Sequence, residues 1–500
     1  MDSKNIDLVS LLEKELDNKP QKKLDEIGVV VQVGDGICKV YGLIHALYGE
    51  IVHFEGGNKG IILNMDEDFV SIFLMSTLIP VAEQEVVKRT GKAMQVPVGD
   101  AMLGRVINAL GEPIDGLGEI KTSQSRFVEQ ECPSIIERTP ISEPLQTGVL
   151  AIDALVPIGR GQRELIVGNR NTGKTALAID TILNQKGKDV ICVYVSIGQR
   201  QGNLARLVSK LQEHGALEYT VVMSADSSEA VLNQYLAPYS GTSIAEYFMH
   251  QGKDVLIVYD DLMNHAVAYR EMSLLMRRAP GREAFPGDVF YLHSRLLERA
   301  ACLKKGGSLT ALPIVQIQED DITAYIPTNL ISITDGQIFV DTQLFNQGIR
   351  PAINVELSVS RVGGAAQTQA VKRMSKALRL ELAQYNDLLS FAQFGTELDE
   401  VSQRQLNRGA IAVEILKQAQ FLHYSFVDEA LILFLLRYNV LDGIDLKNVS
   451  SFIQKFTSYV LSVYPDMYNK IKETKDITPD YLEELKPIAQ EFAKIFEKEK

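Results

Sequence analysis

Residues 168–175 (GNRNTGKT) fit the Gly-x-x-x-x-Gly-Lys-Thr pattern of a phosphate-binding loop at every specified position. The glycines let consecutive backbone N–H groups converge on phosphate oxygens, Lys174 reaches the terminal phosphates, and the Thr175 hydroxyl can hold a magnesium ion. The run ELIV at 164–167 predicts a strand entering the loop, and the run from Ala176 predicts a helix leaving it, which disfavours a chance glycine turn. We therefore predict a nucleotide site built on Gly168, Asn169, Arg170, Asn171, Thr172, Gly173, Lys174 and Thr175.

A magnesium ion at such a loop needs a second ligand, normally a carboxylate at the end of an apolar strand. The run VLIVY at 255–259 predicts a strand buried on both faces. The two aspartates that follow it should emerge at the carboxyl edge of the sheet, where open α/β sheets bind ligands. We favour Asp260 as the metal ligand, but spacing alone leaves Asp261 open. The alternative is a pair of surface aspartates that cap the next helix.

Gln199 and Arg361 bear on catalysis. Gln199 follows the strand predicted at 190–195, where a hydrolase of this plan would place a carboxylate to polarise the attacking water. A neutral amide can orient water but cannot accept its proton, so we predict poor turnover. Arg361 follows an extended run and precedes two glycines, so it could reach a neighbour's nucleotide and stabilise the transferred phosphoryl group. Local sequence alone favours a structural arginine there.

The pattern of apolar residues changes three times along the chain, which predicts a multidomain α/β protein. A helical stripe of Leu8, Leu12 and Leu16 opens it and fits either a partner's groove or the chain's own domain. Short runs of strand-forming residues separated by glycines follow the helix. After them the patterns of strands and helices alternate, and the last part has apolar residues at helical spacing. The predicted divisions are an amphipathic helix at 1–22, a β-barrel at 23–91, a P-loop α/β domain with a mainly parallel sheet at 92–366, and a helical bundle at 367–500.

Composition excludes several classes of function. A net charge of −13 over 500 residues disfavours nucleic acid as a partner. The four cysteines lie far apart without metal-ligand spacing, as expected of reduced thiols in an intracellular protein. The apolar run at 430–436 is far shorter than the roughly 20 residues that span a bilayer. The N-terminus has neither a secretory signal nor an Arg-rich transit peptide, so we expect the chain to act in the compartment where it is made.

Several long strings then identify a family, because the chain resembles the alpha subunits of F-type ATP synthases from the N-terminal helix to the bundle. Chance matching over so many strings is negligible. Besides the phosphate loop, the strings that carry the resemblance are residues 33–37 (VGDGI), 97–106 (PVGDAMLGRV), 259–262 (YDDL), 280–288 (PGREAFPGD), 324–329 (AYIPTN), 332–337 (SITDGQ) and 348–355 (GIRPAINV).

The resemblance implies a RecA-like central domain that holds Mg-ATP or Mg-ADP without turnover. Gln199 fits that role, since the catalytic beta subunits carry glutamate at the matching place. The resemblance also implies that Arg361 is an arginine finger that crosses the interface into the beta site. The residues that it assigns to the adenine side are Arg350, Pro351, Gln418 and Gln420.

The same resemblance implies partners. Three alpha and three beta subunits alternate in a ring around a rotating gamma shaft, and residues 394–399 match a loop near that shaft. The helix at 1–22 resembles the segment that grips the delta subunit of the peripheral stalk, which shifts the interpretation of its leucine stripe toward partner binding. Such a chain would be attached only indirectly to the cytoplasmic face of a bacterial-type membrane.

The sequence also departs from the family pattern. Asn169 and Asn171 stand where aspartate and glutamine are usual, and Glu356 stands where glycine is usual. The shorter amide of Asn171 is expected to loosen contacts to the nucleotide phosphates. The strings at 316–320 (QIQED) and 421–424 (FLHY) drift as well.

Two other functions compete with this interpretation. A self-sufficient ring ATPase of the same fold, such as a secretion motor, would be favoured by glutamate at position 199, and glutamine disfavours it. A hexameric RNA translocase shares the P-loop core and an N-terminal barrel. The acidic chain and the lack of an aromatic-basic stripe argue against that class.

Overall fold

A computed structural model describes residues 27–76, 78–393 and 399–498. The helix predicted at 1–22 lies outside the described residues, as does most of the loop predicted to lie near a shaft, 394–398. Within the described ranges the predicted fold class is confirmed: a closed barrel, a mainly parallel α/β domain and a helical domain follow one another along the chain.

The first unit is a six-stranded barrel that closes on itself in the order β1-β2-β5-β4-β3-β6, with every pair antiparallel. Its inward side chains are mostly β-branched or aromatic, such as Val40, Ile62 and Ile72, which are fully buried. Closure leaves no unpaired strand edge. The strands are β1 (Ile27–Val33), β2 (Ile37–Gly42), β3 (Glu50–Phe54), β4 (Lys59–Met65), β5 (Phe69–Leu74) and β6 (Val86–Ala93).

The central unit contains an eight-stranded sheet in the order β16-β15-β10-β14-β13-β11-β12-β8. All of its neighbours pair in parallel except β15 and β16. Strands β7 and β9 form a separate antiparallel ribbon. The strands are β7 (Gln95–Val98), β8 (Val106–Asn108), β9 (Gln124–Phe127), β10 (Leu165–Asn169), β11 (Val190–Gln199), β12 (Thr220–Asp226), β13 (Asp254–Asp260), β14 (Leu309–Ile317), β15 (Gly336–Val340) and β16 (Val359–Ser360).

Helices cover both faces of this sheet, so alternate residues of one strand enter different cores. Cys192 and Tyr194 of β11 face one apolar cluster, while Val193 and Val195 face the other. Strands buried on both faces therefore appear in the sequence as continuous apolar runs. The helices of this unit are α1 (Leu150–Leu155), α2 (Lys174–Leu183), α3 (Gln201–Glu213), α4 (Val231–His250), α5 (Leu262–Leu275), α6 (Val289–Leu297), α7 (Tyr325–Ile333) and α8 (Thr342–Asn346).

The last unit is helical and shares one apolar core with the α2 face of the sheet. Ser425 and Asp428 form a capping box at the start of one of its helices, Phe426–Arg437. Among the described residues, no helix is both long and apolar enough to cross a lipid bilayer. The helices are α9 (Gln369–Ser375), α10 (Leu378–Gln393), α11 (Glu400–Leu416), α12 (Phe426–Arg437), α13 (Leu446–Val463), α14 (Pro465–Thr474) and α15 (Pro479–Lys498).

Candidate nucleotide-binding site

The phosphate loop joins the carboxyl end of β10 to the first turn of α2. Gly168 is required by packing, because a Cβ on it would lie 2.4 Å from the carbonyl oxygen of Val340 on the neighbouring strand β15. Gly173 has a φ of 103°, a conformation that L-residues rarely adopt. Asn171 also has a positive φ, 62°. The loop is therefore a tight turn at the N-terminus of a helix, which is the geometry that binds phosphate.

Lys174 lies buried at the end of the loop. Its ammonium donates a hydrogen bond to the backbone carbonyl of Asn169, and the Thr172 hydroxyl donates to the same oxygen at 2.8 Å. Burial lowers the pKa of the Lys174 ammonium to about 8, and the carboxylates of Asp261 and Asp260 oppose that shift. Negative charge on a ligand would favour the protonated form further.

Asp260 collects three donors at the end of β13. Its Oδ2 accepts from the Thr175 hydroxyl at 2.7 Å and from the Tyr194 hydroxyl at 2.6 Å, and its Oδ1 accepts from Gln199 Nε2 at 3.4 Å. Burial and the Asp260 carboxylate raise the pKa of Tyr194 well above its ordinary value, so the phenol remains a donor. The Thr175 hydroxyl and the Asp260 carboxylate are hard oxygen ligands of the kind that Mg²⁺ prefers.

Asp261 has a different role from Asp260, although both are buried. Its side chain caps α5 by accepting from the backbone N–H of Asn264 at 2.8 Å. Burial and the adjacent Asp260 charge raise the pKa of Asp261 to about 7. The two aspartates, which spacing alone could not distinguish, therefore make different contacts. Asp260 lies beside the Thr175 hydroxyl, and Asp261 caps a helix.

Loop residues 170–175, Gln199 and Asp260 line one cavity of about 1090 Å³, whereas Gly168 and Asn169 lie outside its lining. The four residues assigned to the adenine side line it too. The Arg350 guanidinium lies 4.4 Å from the centre of the Phe345 ring. Gln418 bridges two domains, since its Oε1 accepts from Leu150 N at 3.1 Å and its Nε2 donates to Gly148 O at 2.7 Å. The cavity-lining residues among those predicted are Arg170, Asn171, Thr172, Gly173, Lys174, Thr175, Gln199, Asp260, Arg350, Pro351, Gln418 and Gln420.

Sequence reasoning missed the residues that brace this cavity. Tyr194 gives no signal beyond its place on an apolar strand. Asp180 of α2 accepts from the backbone N–H of Phe421 at 3.1 Å, and the Phe421 ring lies 5.1 Å from that of His214, which follows α3. These contacts tie the segment after Gln420 to α2, which follows the phosphate loop, and to the end of α3.

Arg361 lies outside the cavity, directly after β16. Its backbone N–H donates to Asp335 O at 2.8 Å, and its exposed guanidinium makes one long bond, 3.4 Å, to Ile331 O. The side chain is therefore presented to solvent beyond the site that its own chain forms.

The chain is similar to known proteins along most of its length. Three family models match: the ATP synthase alpha/beta family β-barrel domain at residues 24–91, its nucleotide-binding domain at 148–360 and its C-terminal domain at 367–492. ATP synthase subunit alpha of Acetivibrio thermocellus is 53% identical over 497 residues, which is 98% of each chain. ATP synthase subunit alpha of Clostridium botulinum strain Eklund 17B is 52% identical over 500 residues, 99% of each chain. That of Caldanaerobacter subterraneus is 54% identical over 470 residues, 93% of each chain.

Proposed function

Because this chain belongs to the ATP synthase alpha/beta family, as an alpha subunit, we propose that it binds Mg-ATP or Mg-ADP with little turnover. In the same proposal it donates Arg361 to the catalytic site of an adjacent beta subunit. The proposal of low turnover rests on Gln199, whose amide donates to Asp260. This amide stands at the position where hydrolysis would need a base.

Magnesium would be held by the Thr175 hydroxyl and Asp260, which already lie within hydrogen-bond distance of each other. When bound there, the ion would supply positive charge beside the phosphates. Lys174 and the backbone N–H groups of the loop would bind the same phosphates. Arg350, Pro351, Gln418 and Gln420 form the far end of the cavity, where the base would lie.

Low turnover follows from the acid–base chemistry of the cavity. Gln199 directs an N–H toward Asp260, and its amide cannot take a proton from water. Asp261 is engaged in capping a helix. A bound nucleotide would thus be retained as a structural and regulatory ligand.

The exposed guanidinium of Arg361 supports the second part of the proposal, since it lies off the cavity of its own chain. The complex would be a rotary, proton-coupled ATP synthase. Its ring of alternating alpha and beta subunits would surround a gamma shaft, and residues 1–22 would contact the delta subunit of the peripheral stalk. The chain would reach the cytoplasmic face of the membrane only through these partners.

The test of binding without turnover uses the purified full-length chain. We expect it to retain Mg-ATP in equilibrium dialysis and to release phosphate at a negligible rate. Lys174→Ala is the control, because it removes the cation that meets the phosphates and should abolish retention. Robust steady hydrolysis by the isolated chain would contradict the proposal and favour a self-sufficient motor. Co-purification with a beta-like chain and a gamma-like shaft, identified by mass spectrometry, tests the assembly.

A further inference from the structure

Asn169 closes a three-residue hydrogen-bonded ring outside the phosphate cavity. Its Nδ2 donates to the Thr342 hydroxyl at 2.9 Å, and its Oδ1 accepts from the backbone N–H of Asp320 at 3.0 Å. The Thr342 hydroxyl donates to Asp320 Oδ1 at 3.1 Å. The ring joins the end of β10, the segment after β14 and the start of α8.

The ring bears on the shape of the phosphate loop. The backbone carbonyl of Asn169 accepts from both Lys174 and Thr172, so the position of residue 169 sets where those two side chains lie. On the other side, Glu319 and Asp320 both have positive φ values, 52° and 57°. That conformation is unfavourable for an L-residue, and the bonds from Asp320 to Asn169 and Thr342 help to hold it.

Charge then decides which residue position 169 can carry. The Thr342 hydroxyl has one proton, and it donates that proton in a hydrogen bond to the Asp320 carboxylate. Toward residue 169 the hydroxyl oxygen can therefore act only as an acceptor. The side-chain amide of Asn169 provides the N–H donor. An aspartate at 169, the residue usual in the alpha subunits that the chain resembles, would direct two carboxylates at one proton and place like charges together.

We propose that Asn169 positions the phosphate loop through this ring, and that Asp320 is the feature that requires an uncharged side chain at 169. The inference rests on the proposed function for its ligand, because Mg-ADP is the probe.

The experiment is a double-mutant cycle in the full-length chain, measured as the dissociation constant for Mg-ADP. Asn169→Asp should weaken binding about five- to tenfold, within the range of coupling between residues in contact. Adding Asp320→Asn should restore affinity to within about twofold of the parent. In that double variant the new amide at 320 can donate to the Thr342 hydroxyl, which is then free to donate to the new carboxylate at 169. Asp320→Asn alone should change affinity by less than about twofold.

Asp321→Asn is the matched control. Asp321 is the next residue in the same acidic segment, but it accepts from Thr323 rather than from Thr342. It should therefore not rescue Asn169→Asp. Equal rescue by both variants, or none by Asp320→Asn, would overturn the proposal, as would unchanged affinity in Asn169→Asp. Thermal unfolding without nucleotide verifies that each variant folds. Failure of the parent chain to bind Mg-ADP would instead refute the proposed function.

Discussion

The Thr175 hydroxyl donates a 2.7 Å hydrogen bond to Asp260 Oδ2, although 85 positions separate the two residues in the chain. One lies in the first turn of α2 and the other at the end of β13. The parallel sheet brings them together, because the carboxyl ends of its strands share one edge. The contact places two hard oxygen donors beside the anion-binding turn, which is the arrangement that a magnesium–nucleotide complex needs.

The first prediction separates binding of the metal from binding of the nucleotide. Thr175→Ala removes one oxygen ligand but none of the backbone donors, so affinity for Mg-ATP should fall about tenfold, or about 1.4 kcal/mol. Affinity for ATP in EDTA should stay the same. Calorimetric titration of the full-length chain with and without magnesium measures both. Thr175→Ser keeps the hydroxyl and should behave like the parent. An equal loss in both conditions would mean that Thr175 serves packing rather than the ion.

A second prediction concerns Gly168, whose role is packing rather than backbone freedom. A Cβ would lie 2.4 Å from Val340 O, so Gly168→Ala must move β10 away from β15 and distort the loop. We expect about 1–3 kcal/mol of lost stability, typical of overpacking, together with loss of nucleotide binding. Gly202→Ala in α3 is the control, since nothing lies within 4 Å of its added methyl. That change should leave binding intact and stabilise the helix slightly. A Gly168→Ala chain that binds nucleotide and unfolds like the parent would refute the packing argument.

The third prediction is a pH dependence of stability set by buried histidine. Both His265 and His293 are fully buried, and neither ring nitrogen of His293 has a hydrogen-bond partner among the described residues. Burial lowers the pKa of His293 to about 4, below the value of about 6.5 expected in the unfolded chain. The folded protein therefore binds fewer protons between those values. The stability contributed by the neutral ring is complete above about pH 6.5 and falls as the pH drops toward 4.

The expected slope is about 1.4 kcal/mol per pH unit for each such histidine. Denaturant unfolding between about pH 4.5 and pH 7.5 brackets this window and measures the slope. His293→Leu should flatten the slope, whereas His53→Leu, at an exposed histidine of β3, should leave it unchanged. If both variants keep the parent's slope, other groups control the acid response.

Local patterns predicted the phosphate loop, the strand before Asp260 and the order of barrel, sheet and bundle, because each depends on neighbours in sequence. The strand predicted to end at 195 runs on to Gln199, since Gln199 pairs with Asp226 of β12 across a bulge. The sequence could not show whether Asp260 or Asp261 lies at the phosphate loop, because only the fold determines which carboxylate contacts the Thr175 hydroxyl.

Contacts between segments far apart in the chain could not be predicted, because they depend on the fold and not on neighbours in sequence. Tyr194 lies on an apolar strand and Thr342 at the start of a short helix, so nothing in their local sequence marks them. Asp320 lies in a string that departs from the family pattern, but that departure does not reveal its partners. Their roles appear only when the sheet brings three segments to the same edge. Asn169 stands out in the sequence as a departure from the family pattern, but its partners required the fold.

We propose above that this chain binds nucleotide at its own site and supplies Arg361 to the chemistry of its neighbour. The most direct measurement is kcat for ATP hydrolysis by the assembled complex carrying Arg361→Ala, with nucleotide retained on this chain's own loop measured in the same preparation. We expect kcat to fall about 10³-fold or more, the scale of a lost arginine finger, with nucleotide retention unchanged. Unchanged turnover in that complex would contradict the proposal.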